Sequence, residues 1–151
     1  GGLPLGLIAF KSTLNHKFPG VQSSTFQGNI LSINNSHLFL NYLKKYNYLK
    51  KVRYIEHFFK EYINIFNKYE FVEEFRGVGS MWGIEIKNSH QYRDLTNKIR
   101  SKLINEGLIT WECGKNSNVI GLVPPICISN KSLKMARNII LDTFDDVLKI
   151  C

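Results

Sequence analysis

The sequence predicts an α/β or α+β fold built on a small, mainly antiparallel sheet covered by helices. Three observations carry this. Short apolar runs with strand-like alternation come in two pairs, FVEEF with SMWGIEI through RGVG, and LITWEC with NVIGLV through CGKNSN. Apolar residues elsewhere recur every three or four positions, the period of helices that bury one face. The two kinds of pattern alternate along the chain, with no internal repeat or low-complexity tract between them.

The elements follow in order. PLGLIAF reads as a buried strand, being short, apolar and bounded by Gly and Pro. A polar loop from Asn15 to Asn29 is long enough to be functional instead of a tight connection. Two helices are expected next, over roughly residues 30–45 and 48–69. The first has Leu38, Phe39, Tyr42, Leu43 and Tyr46 on one face. The second has Val52, Ile55, Phe59, Tyr62, Ile63 and Phe66. After the first strand pair, where RGVG is expected to form the turn, Leu95, Ile99 and Leu103 mark a helix from Asn88 that stops at Gly107. Pro124–Pro125 ends the second pair by removing two backbone donors. Ser129 is the N-cap candidate for a last helix with the stripe Leu133, Ala136, Ile140, Thr143 and Val147.

Composition narrows the function classes. With 151 residues, 44% hydrophobic and 21% charged, the chain matches a soluble globular domain with a single core and not a disordered or disulfide-stapled one. The longest apolar run, Leu5 to Phe10, is far short of the ~20 residues of a membrane-spanning helix, so no membrane association is expected. Cys113, Cys127 and Cys151 have no metal or disulfide spacing, and the four histidines are scattered. This predicts no metal site and a cytoplasmic setting. Of the net charge of +8, most lies in residues 1–69, with nine Lys or Arg against two acids. The segment NYLKKYNYLKKVRY mixes lysine and tyrosine as a nucleic-acid surface could. Its helical periodicity favours solvated lysines opposite a buried apolar face, and no nucleic-acid partner is expected. An opening of GGLPLGLIAF, without Met, suggests a piece of a longer polypeptide or a processed chain.

Four strings carry the reading further: GGLPLG at 1–6, SSTFQGN at 23–29, RGVGSMWGIEI at 76–86 and VIGLVPPICIS at 119–129. In order and approximate spacing they resemble the class III (fold type I) pyridoxal-phosphate aminotransferases, specifically the C-terminal portion. GLITWECG followed by NVIGLVPPI is most similar to the diaminobutyrate aminotransferase branch. The resemblance implies that residues 1–69 are the end of the cofactor-binding large domain and residues 70–151 the C-terminal small domain. It also implies pyridoxal 5'-phosphate as cofactor. In the family the cofactor-bearing lysine lies just upstream of GGLPLG and the acid that pairs with the pyridinium nitrogen lies further upstream. No catalytic residue is therefore assigned here, and Lys11 and Lys17 are not replacements.

The resemblance assigns the cofactor phosphate to SSTFQGN. Hydroxyls beside a glycine suit a dianion that needs several donors. In the family the Thr of this string, here Thr25, reaches the phosphate of the other subunit's cofactor, and Ser24 is the adjacent candidate. On the residues alone, Ser24 and Thr25 could instead cap the following helix. Asn29 is expected to fix the loop. Arg76 could bind a carboxylate, but is read as a turn or ion-pair residue with Glu73 or Glu74 nearby. Gly121 departs from the pattern, because many family members carry a basic residue there.

Two functions remain open. One is an aminotransferase acting between an ω-amino donor such as 2,4-diaminobutyrate and a 2-oxo acid. It would need a complementary chain or segment carrying the rest of the large domain, in a homo- or hetero-oligomer that takes amino-acid substrates. The other is a non-catalytic, degenerate subunit serving dimerisation or partner binding.

Overall fold

The computed structural model describes residues 2–14, 23–92 and 94–149. The chain divides into two compact units, Gly1–Tyr48 and Leu49–Cys151.

The first unit is built around helix α1, Ile30–Tyr46. Asn29 opens it by accepting a hydrogen bond from the Ser32 amide at 3.0 Å. Asn47, left-handed at φ 48°, closes it by donating its backbone N–H to the carbonyls of Leu43 and Lys44. The expected burial of its apolar face is not found. Leu38 is 67% and Tyr42 49% exposed, and only Ser32 is buried along the helix. An apolar stripe is buried only when another element lies against it, and no described element of this unit does so. Tyr42, Tyr46 and Tyr48 pack on one another instead, with ring centroids 4.5–6.2 Å apart. PLGLIAF is also corrected. It forms no strand and its large side chains are exposed, because a strand needs a ladder partner and none of the described residues supplies one. Residues 15–22 of the expected loop lie outside the described residues.

The second unit holds the core. Helices α2 (Tyr48–Lys60) and α3 (Ile63–Phe66) lead into strands β1 (Val72–Val78) and β2 (Met81–Ile86). Helix α4 (Leu95–Asn105), strands β3 (Trp111–Cys113) and β4 (Val119–Leu122), and helix α5 (Asn130–Leu148) follow. The sheet has the order β1-β2-β4-β3, and every pairing is antiparallel.

Strand alternation gives this sheet two unlike faces. Phe75, Trp82, Ile84, Ile86, Ile120 and Leu122 turn to the core with Ile55, Phe59, Ile99, Leu103, Leu133 and Phe144. Its centre is aromatic: Phe66 stands 4.6 Å from Phe75 with the rings tilted at 46°, and 5.3 Å from Phe144 in the edge-on geometry that rings prefer. The opposite face carries the cross-strand row Arg76, Gly83, Gly121 and Trp111.

The single helix expected over 48–69 is broken at Glu61–Tyr62. No Gly or Pro stands there. The break re-aims the chain so that Phe66 meets Phe75 and Phe144 while Tyr62 packs on Phe58, a tertiary gain that local propensity does not register. RGVG is corrected too. Arg76, Gly77 and Val78 belong to β1, and the turn is Gly79–Ser80, with Gly79 at φ +59°. At Gly77 a Cβ would overlap the Met81 carbonyl oxygen and the Trp82 ring. One glycine thus serves close approach and the other the turn. The helix expected from Asn88 begins only at Leu95, after a separate 3-10 turn at His90–Tyr92, but its stripe holds, since α4 buries Leu95, Ile99 and Leu103. Ser129 caps α5 as expected, accepting from the Ser132 amide at 2.9 Å. Along α5 Leu133, Ile140, Thr143 and Val147 are buried, joined by Phe144.

Candidate cofactor-phosphate site

Residues 23–28 form a compact turn before α1. The Gln27 amide donates to the Ser24 carbonyl at 3.0 Å, and the Ser24 amide donates back to Gln27 Oε1 at 3.3 Å. Asn29 then closes the turn, its amide donating to the Phe26 carbonyl at 3.3 Å. Since Asn29 is the N-cap, the alternative in which Ser24 and Thr25 cap the helix is set aside. Their hydroxyls, and that of Ser23, are exposed and make no hydrogen bond among the described residues.

A shallow concavity of about 480 Å³ adjoins the turn, lined by Gly6, Ile8, Phe10, Ser23, Ser24 and Gln27. Thr25 is not part of that lining. Ser23 and Gln27 were missed in the sequence. The spacing of Ser24 and Gln27, a serine three residues before a glutamine, was the available signal, because it is the pattern of a reciprocal capping box. The donor set suits a phosphate, since free hydroxyls meet a dianion without breaking an existing bond. Ser24 and Thr25 are the groups here that would hold it.

Arg76 is held by two carboxylates of this chain. Its Nη1 donates to Glu74 Oε2 at 2.9 Å and also to Glu85, the residue paired with Glu74 across β1 and β2. The Arg76 hydrogen bond holds the Glu85 carboxyl below its ordinary range, with a further contribution from Asn118. The ion-pair reading holds through Glu74, the second of the two glutamates offered, and Glu85 from the next strand is a further partner the sequence did not suggest.

Gly121 is buried in β4 between Gly83 of β2 and Trp111 of β3. A Cβ there would stand 2.9 Å from Cys113 Sγ and 3.4 Å from Trp111 Cβ. The neighbouring side chains therefore crowd any side chain placed at this position.

The sequence of residues 1–144 matches the family model for class III aminotransferases. The chain belongs to the class III aminotransferases. This family depends on pyridoxal 5'-phosphate. The chain is 26% identical over 151 residues to a diaminobutyrate–2-oxoglutarate transaminase of Wolinella succinogenes, covering 99% of this chain and 34% of that protein. It is 31% identical over 143 residues to a mitochondrial acetylornithine aminotransferase of Alnus glutinosa, covering 93% and 30%. The chain thus spans about a third of the length of these curated relatives. Among solved structures, the ornithine aminotransferase of Toxoplasma gondii superposes with a TM-score of 0.74 at 22% identity, over 89% of this chain and 31% of its own. That of Plasmodium yoelii gives 0.62 at 27% identity, over 70% and 28%. The aminotransferase fold expected from the four strings is therefore the fold found. Among the described residues no helix is long and apolar enough to cross a membrane.

Proposed function

We propose that this chain is part of an aminotransferase that moves an amino group between an ω-amino donor, such as 2,4-diaminobutyrate, and a 2-oxo acid. The observation that carries the reading is the family match over residues 1–144, joined by the relative named for diaminobutyrate and 2-oxoglutarate. Residues 1–69 serve as the end of the cofactor-binding domain and residues 70–151 as the small domain. A complementary chain or segment supplies the cofactor lysine, within a cytoplasmic homo- or hetero-oligomer.

Pyridoxal 5'-phosphate, when bound, supplies the electron sink for bond breaking at the amine-bearing carbon. The part of this chain is to hold its phosphate. The Ser24 and Thr25 hydroxyls donate to the phosphate oxygens, and Asn29 keeps the turn in place by capping α1. With Arg76 engaged by two carboxylates and no side chain at Gly121, the substrate carboxylate is held by groups other than these two.

Gly121 is the one observation that favours a non-catalytic subunit, and it is a single position against a match spanning nearly the whole chain. The test is amino transfer by the complete protein from 2,4-diaminobutyrate, N-acetylornithine and 4-aminobutyrate to 2-oxoglutarate. Turnover with at least one ω-amino donor is expected, and the 151-residue chain alone should show none. A complete protein that binds the cofactor and turns over none of the three donors would leave the non-catalytic reading in its place.

A further inference from the structure

In the turn at residues 23–28, Gln27 uses only one end of its carboxamide. Its Oε1 accepts the Ser24 amide at 3.3 Å. A backbone N–H must be met by an oxygen, so this bond fixes which end is which and leaves the two N–H donors of Nε2 over. That nitrogen makes no hydrogen bond among the described residues, and Gln27 is exposed. Gln27 lines the same concavity as Ser23 and Ser24, and its bond to the Ser24 amide keeps the carboxamide beside that serine. Among the described residues no acidic side chain lines the concavity, and residues 1–48 contain neither Asp nor Glu.

We propose that Gln27 is a further phosphate-binding residue: its Nε2 donates to the cofactor phosphate beside the Ser24 hydroxyl, while its Oε1 holds the turn. The inference deepens the aminotransferase reading and rests on it. A free carboxamide can present either end to an anion, and its oxygen would repel one. Here the oxygen is already committed to Ser24, so the end left for a ligand is the donor. The same bond holds the side chain in place before the ligand arrives, which lowers the ordering cost of binding. A phosphate dianion needs several donors at once, and Gln27 adds one to the hydroxyls without breaking an existing bond.

The test titrates the complete protein with pyridoxal 5'-phosphate and with pyridoxal, which carries a hydroxyl in place of the phosphate ester, and follows the change in ligand absorbance. Gln27→Met keeps the length of the side chain and removes both polar ends. Gln27→Glu keeps an acceptor for the Ser24 amide and removes the donor. Both should weaken pyridoxal 5'-phosphate about tenfold, the scale of one hydrogen bond to a charged group, and leave pyridoxal nearly unchanged. The loss in Gln27→Glu should persist in about 0.5 M salt, which screens repulsion acting through solvent. If Gln27 serves only to anchor the turn, Gln27→Glu should regain the parent's affinity in that salt, and this rescue would overturn the proposal. So would parent affinity in Gln27→Met, or a loss shared equally by pyridoxal. A parent that does not prefer pyridoxal 5'-phosphate to pyridoxal would overturn the phosphate reading of the turn together with the role of Gln27. A parental preference that neither variant moves would overturn the role of Gln27 alone.

Discussion

Gly77 and Trp82 are paired across β1 and β2, with the indole lying where a Cβ at residue 77 would stand. Trp82 cannot easily yield. Its Nε1 donates to the Gly79 carbonyl at 3.1 Å, and its ring lies 5.0 Å from Phe75 and 5.5 Å from Phe59. Gly77→Ala should therefore destabilise the chain by about 1–3 kcal/mol, the usual range for overpacking, read as a lower urea midpoint with an unchanged slope. A midpoint equal to the parent's would mean that the indole is free to move.

Much of this arrangement was legible because it is local. The stripe Leu95, Ile99 and Leu103 and the cap Ser129 depend only on helical spacing, and the two strand pairs sit on either side of short glycine-bearing turns. What could not be read depends on partners distant in sequence. PLGLIAF has strand composition but no ladder, and the helix break at Glu61–Tyr62 answers to Phe75 and Phe144 and not to a breaker residue. Glu85 as a partner of Arg76 follows only once the register of β1 and β2 is known. The site was legible differently. Ser24 and Thr25 stand out through the resemblance alone, whereas the capping role of Asn29, which frees them, emerges only from the hydrogen bonds.

The Tyr69 hydroxyl donates to Asp145 Oδ1 at 2.7 Å, and Lys68 Nζ donates to the same oxygen at 2.7 Å. Burial, reinforced by this carboxylate, pushes the Tyr69 phenol up to about 12 from its ordinary 10.0. A folded-state pKa raised above the unfolded value contributes stability that is complete below pH 10.0 and lost as pH climbs toward 12. Lys68, also raised by Asp145, acts in the same direction. Tyr69→Phe should cost about 1 kcal/mol near neutral pH, the worth of a hydrogen bond, and should flatten the alkaline loss. Urea midpoints across this range that fall in parallel for parent and variant would show that the phenol does not govern it.

At the acid end the group to watch is Asp146. Its hydrogen bonds from Lys102 at 2.5 Å and Lys149 at 2.9 Å hold its carboxyl down to about 2 from 3.8. A depressed folded-state pKa contributes stability that is present above 3.8 and lost as pH falls toward 2. The pair with Lys102 joins α5 to α4, but both side chains are substantially exposed, so salt screens it. Asp146→Asn should reduce the steepness of acid unfolding in this window, and about 0.5 M salt should do the same to the parent. The fall in stability should not vanish, because Asp145, Glu85 and Glu56 are lowered as well. An acid transition identical in parent and variant would assign it wholly to those three.

Asn29 and Thr25 should part company when stability and cofactor binding are measured side by side. Asn29 Oδ1 accepts the Ser32 amide, so Asn29→Ala should cost α1 about 1 kcal/mol, seen as reduced helix content by circular dichroism. The Thr25 side chain is exposed with no hydrogen bond among the described residues, so Thr25→Ala should leave helix content unchanged. In the complete, cofactor-loaded protein the order should reverse. Removing a hydroxyl donor to a dianionic phosphate forfeits a charge-assisted bond of roughly 1.5–3 kcal/mol, so Thr25→Ala should weaken pyridoxal 5'-phosphate about tenfold to a hundredfold. Asn29→Ala should leave the affinity of the folded fraction close to the parent's, since its amide oxygen is already committed to the helix. A cofactor titration of both variants separates the roles. If Thr25→Ala binds the cofactor as tightly as the parent, the turn at residues 23–28 is a structural lead-in to α1, and the phosphate is held elsewhere.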